Sequence, residues 1–68
     1  MIFLREMRLN KRLTQQELAQ ASGVGQGVIS DIESGATQNP RLDTLIKLAN
    51  ALDCAITDLL DAGKNKAV

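Results

Sequence analysis

Gln26, Gly27, Ser30 and Asp31 recur at spacings of three and four residues, so on a helix they share one side. Their chemistry is that of hydrogen-bond recognition. The Gln amide sets a donor beside an acceptor, the Asp carboxylate only accepts, the Ser hydroxyl does either, and Gly leaves backbone bare. None is a nucleophile with a base at hand. The chain has no His and a single Cys, and its carboxylates are scattered, so the sequence contains neither a catalytic constellation nor a metal-ligating cluster. We expect contact and not catalysis, with no cofactor and no metal.

The segment from Thr14 to Gly35, TQQELAQASGVGQGVISDIESG, supplies the elements that position these residues. It predicts two short helices around a tight turn at Gly23. Leu18 and Ala19 form the inner side of the first, and Val24, Ile29 and Ile32 the inner stripe of the second. The polar side of the second helix then faces outward, as a helix docked in the major groove of double-stranded DNA presents its residues to base edges. The Gln26 amide fits N7 and N6 of adenine, and Asp31 is repelled by phosphate unless it accepts from the N4 amine of cytosine. That second helix carries no Lys or Arg, so the alternative is that it does not enter DNA in the usual way. Ser30 either touches a base or phosphate or is simply small enough to let the helix sit close. Gly27 in the first turn weakens a helix by roughly 0.8 to 1 kcal/mol relative to Ala; either it lets backbone approach DNA or a partner, or it is tolerated drift. Gln15 opens the preceding helix, where its side chain and the first-turn amides can face a phosphate.

Taken together, Thr14-Gln15, Glu17-Leu18-Ala19, Gly23-Val24, Ile29-Ser30, Ile32-Glu33 and Gly35 resemble the helix-turn-helix family of Cro and lambda-type phage repressors, also called the xenobiotic-response-element family. The resemblance continues through the loop 35–41, the pattern LDTLIKLANAL and the turn ITDLL. It implies an all-α, compact five-helix lambda-repressor-like domain over 1–62, followed by a short polar tail, 63–68. It further implies an ion pair between Arg8 and Glu33 that leaves the guanidinium able to reach a phosphate. Arg41 resembles a loop arginine placed beside the backbone or in a narrow minor groove, with Thr37, Gln38 and Asn39 as phosphate donors.

Length and composition agree with this architecture. A 68-residue chain buries only about 60% of its unfolded surface, so its core must be compact. Apolar residues make up 44% of the chain while Phe3 is the lone aromatic, which favours small aliphatic helices packed closely. No secretory pattern, transmembrane-length apolar run or second cysteine is present, so the expected location is cytoplasmic, with no membrane partner. Eight Lys and Arg balance eight Asp and Glu, whereas DNA-binding domains more often carry a basic excess. Arg5, Arg8, Lys11 and Arg12 cluster early, with Lys64 and Lys66 at the tail, while Asp43, Asp53, Asp58 and Asp61 lie in the second half, which permits a basic face on a neutral protein.

The remaining punctuation sets boundaries. A first helix over 1–12 has Leu4 and Met7 inward and Arg5, Arg8 and Lys11 outward. Arg12 stands where the family usually has a left-handed Gly, at a cost on the order of 1 kcal/mol. Thr14 and Glu17 form a capping box, Gly25 is an N-cap, and Gly35 a left-handed helix end. Leu42, Leu45, Ile46, Leu48, Ala49 and Leu52 mark a fourth helix, Asp53 replaces another helix-ending Gly, and Ile56 to Leu60 make a short fifth. Cys54 packs as a small hydrophobe.

One recognition helix reads only a few base pairs, and members of the family commonly bind as dimers across half-sites roughly 34 Å apart. The expected contact lies around Ala55, Ile56 and Leu59. These residues imply a sequence-specific transcriptional regulator, a small dimeric repressor acting by occupancy of promoter DNA. The alternative is an antitoxin or other protein-interaction module, with a toxin or another regulator as partner and DNA binding only for autoregulation.

Overall fold

A computed structural model describes residues 2–37 and 39–60; Met1, Gln38 and the expected tail 63–68 lie outside the described residues, as do 61 and 62. The described chain forms α1 (Leu4–Asn10), α2 (Gln15–Ser22), α3 (Gln26–Ser34), α4 (Leu42–Ala51) and α5 (residues 56–60), with no strand among the described residues. The all-α, five-helix expectation holds.

Each boundary has a local cause. The Thr14 hydroxyl accepts from the Glu17 amide at 3.0 Å while the Glu17 carboxylate accepts from the Thr14 amide at 2.8 Å, which closes the expected capping box at the start of α2. Gly23 ends α2 at φ 76 and Gly35 ends α3 at φ 86, both in the left-handed region where a Cβ is strained. Arg12 and Asp53 occupy that region as well, at φ 58 and 55, although neither is glycine. Around each the backbone closes a double-bonded helix end. Arg12 and Leu13 donate to the carbonyls of Leu9 and Arg8, and Asp53 and Cys54 to those of Asn50 and Ala49.

The first helix is shorter than its expected span of 1–12. At its start the Phe3 amide donates to the Leu59 carbonyl at 2.6 Å, which pins the chain entering α1 against α5. At its end, the left-handed geometry of Arg12 cannot continue a helix.

The core is built from Leu4, Leu18, Val24, Ile29, Ile32, Leu48, Ala49, Leu52 and Leu59, with Met7, Leu13, Ala19, Cys54 and Ile56 packed against it. α2 lies against both α3 and α4, and α1 against α3. Two expectations need correction. Arg8 was expected on the outer side of the first helix and is instead buried, because α3 brings a carboxylate to meet it. Leu59 was expected at a dimer contact, but its side chain is 0% exposed within the core and has no surface to offer a second chain. Ala55 is exposed and Ile56 half-buried, and the exposed apolar residue on α5 is Leu60.

Candidate nucleic-acid interface

The outward side of α3 carries Gln26, Gly27, Ser30 and Asp31, all exposed. Ile29 and Ile32 point into the core from the opposite side, so burial of the apolar stripe fixes the orientation of the polar one. A Cβ built on Gly27 would meet nothing within 4 Å, and its φ is not positive. Neither packing nor backbone geometry within the chain therefore requires glycine there.

α3 is held in place by a buried polar knot. The Glu33 carboxylate accepts from Arg8 Nε at 2.7 Å, from Arg8 Nη2 at 3.0 Å and from Gln15 Nε2 at 3.1 Å. Arg8 Nη1 donates to the Leu13 carbonyl at 2.6 Å, so one guanidinium joins α1, the loop before α2, and α3. The two charged side chains are only 10% and 6% exposed. Hydrogen bonding to Glu33 raises the Arg8 pKa, against the opposing effect of burial. Burial alone would push the Glu33 carboxyl up, but the hydrogen bonds from Arg8 and Gln15 and the charges of Arg8 and Arg5 outweigh it and hold the pKa below its ordinary value. With three of its N–H groups engaged and little surface, Arg8 forms the ion pair with Glu33 that the resemblance implied and positions helices, and a phosphate contact would fall to the rest of its guanidinium. Gln15 keeps its amide oxygen, and its side chain is aimed by Glu33.

Beside this knot lies an open cleft of about 240 Å³ lined by Arg5, Arg8, Gln15, Ser30, Glu33 and Ser34. The structure thus brings the start of α2 to the outward side of α3, joining Gln15 to Ser30. It also brings in Arg5 and Ser34, which the spacing of Arg5 with Arg8 on one helix side and of Ser30 with Ser34 on another already hinted at. The loop after α3 is tied back where the Thr37 amide donates to the Asp31 carbonyl at 3.1 Å. Asn39 and Arg41 are exposed; the Arg41 guanidinium lies 3.7 Å from Asp43 in a solvated pair worth little. Gln38 lies outside the described residues. Among the described residues no group of His, Cys, Asp or Glu is arranged to hold a metal.

Comparison with known proteins accords with this geometry. A helix-turn-helix family model matches residues 4–59. The cryptic phage CTXphi transcriptional repressor RstR of Vibrio cholerae is 37% identical over 57 residues, which covers 84% of this chain and 50% of that protein. The HTH-type transcriptional regulator DdrOP3 of Deinococcus deserti is 38% identical over 58 residues, 85% of this chain and 44% of that one. The chain thus spans about half the length of the curated relatives it matches. A solved SinR protein/SinI protein complex contains a chain that superposes with a TM-score of 0.86 at 31% identity, over 100% of this chain and 67% of that one. With the family pattern running from α1 to α5 and the fold superposing throughout, the chain belongs to the Cro/lambda-repressor type of helix-turn-helix family.

Proposed function

We propose that the protein is a sequence-specific double-stranded DNA-binding transcriptional regulator, a small dimeric repressor that inserts α3 into the major groove. The observation that carries this reading is the outward row Gln26, Gly27, Ser30 and Asp31, held rigid by the knot of Arg8, Gln15 and Glu33. Gln26 would pair with an adenine edge and Asp31 with a cytosine amine. Phosphates would be met by Gln15 with the first-turn amides of α2, by Arg5 across the cleft, and by Thr37, Asn39 and Arg41 after α3. Two chains would meet through Ala55 and Ile56, with the exposed Leu60 beside them in sequence. The relatives named as a transcriptional repressor and an HTH-type transcriptional regulator support the role, and a cytoplasmic site of action goes with it. No described helix is long and apolar enough to cross a membrane.

A second reading, a module whose main partner is another protein, is favoured by the zero net charge and by the absence of Lys and Arg from α3. The solved complex in which a similar chain is accompanied by a SinI protein supports it too. Selection of bound fragments from a random duplex library at two salt concentrations, with the mass of the protein measured on the best duplex, separates the two. A pseudo-palindrome carrying two chains is expected. On that duplex Gln26→Ala should lose about 1 to 3 kcal/mol at a single base position and little elsewhere. Folded protein that enriches no motif would make the protein-partner reading the better one.

A further inference from the structure

We propose that Val28 reads the 5-methyl group of a thymine in the major groove, a specificity contact that rests on the placement of α3 in DNA. Val28 is 44% exposed, belongs neither to the core nor to the partly buried side chains packed against it, and is the one large hydrophobic exposed on α3. Ile29 and Ile32 already fill the inward side of the helix. A β-branched residue has a lower helix propensity than most alternatives, and packing against the core does not account for this one.

Its surroundings point to the occupant. Val28 follows Gly27, whose side toward solvent is open, and stands three residues before Asp31, so its isopropyl group borders the same exposed row as the hydrogen-bonding residues. Base edges in the major groove carry many donors and acceptors but only one apolar group, the thymine methyl. Gln26 and Asp31 match adenine and cytosine through their polar ends, which offer a methyl no favourable partner. Val28, beside the bare backbone of Gly27, supplies the missing contact.

Replacing thymine by uracil removes that methyl and nothing else. On the duplex selected by wild-type protein, each thymine of a half-site is exchanged singly for deoxyuridine, and binding is measured for wild type and Val28→Ala. Melting of both proteins checks that the exposed substitution leaves the fold intact. At one thymine per half-site the wild type should bind roughly fourfold more weakly without the methyl, the worth of one buried methyl-sized group. Val28→Ala should bind the thymine and uracil duplexes equally well. The proposal is overturned if every exchange changes wild-type binding by under about twofold, if the loss persists undiminished in Val28→Ala, or if the selected half-site holds no thymine. Failure of the wild type to enrich any duplex removes the DNA reading itself, a different outcome from a selected duplex that is blind to the methyl.

Discussion

Glu33 ties three helices together, because its two oxygens take bonds from α1 and from the first residue of α2 while its backbone belongs to α3. Removing its charge would leave the Arg8 guanidinium buried with a neutral partner. Glu33→Gln should therefore destabilise the fold by about 3 kcal/mol, the low end for breaking a buried pair, because the isosteric amide keeps one acceptor. Denaturant unfolding at neutral pH checks this. The same residue sets an acid dependence. Since the folded state lowers the Glu33 pKa, its contribution is complete above the ordinary carboxylate range and is lost as pH falls through the lowered folded value. Stability measured against pH should accordingly fall on the acid side in wild type, with a smaller fall in Glu33→Gln. Equal slopes in the two proteins would assign the acid sensitivity to other carboxylates.

At the scale of elements, the helix ends account for much of the architecture, and two of them are made by the wrong residue type. α1 and α4 both close through a left-handed residue that is not glycine, Arg12 and Asp53. Asp tolerates that region better than Arg, so the strain is concentrated at Arg12. Left-handed geometry costs a Cβ-bearing residue about 1 to 2 kcal/mol, and glycine returns part of that through the freedom it adds to the unfolded chain. Arg12→Gly should thus raise the unfolding free energy by about 0.5 to 1 kcal/mol, as read from the denaturation midpoint at unchanged slope. A loss of stability would show that the Arg12 side chain makes a contact outweighing its backbone strain.

For the whole molecule the governing quantity is charge. Eight cations against eight anions leave no net charge to attract a polyanion, so binding must draw on a few well-placed groups. If Arg5 and Arg41 each neutralise one phosphate in each chain of a dimer, log K should fall with log salt at a slope of about −3.6, at 0.9 per phosphate. Arg41→Ala should reduce the slope by about 1.8 in the dimer and weaken binding to many sequences alike. A salt titration of wild type and variant on one duplex measures both, and an unchanged slope would remove Arg41 from the interface.

By itself the sequence determined the number and order of helices, the capping box at Thr14 and Glu17, the left-handed end at Gly35, and which side of α3 turns outward. These are local matters, settled by period, by hydrogen bonding across three or four residues, and by the sterics of a Cβ. Only tertiary structure decided the burial of Arg8 and Leu59. Period alone put Arg8 with Arg5 and Lys11 on an outer face, since an arginine buries only when a distant carboxylate is delivered to it, and Glu33 lies 25 residues away. Leu59 sits on a one-turn helix too short for its pattern to separate an inner from an outer side, and its burial follows from packing that joins α5 to the start of α1. The exposure of Val28 has the same origin, since Ile29 and Ile32 already cover the core that α3 can reach. The aliphatic pattern specifies which residues can be buried, and the finite area between packed helices decides which of them are.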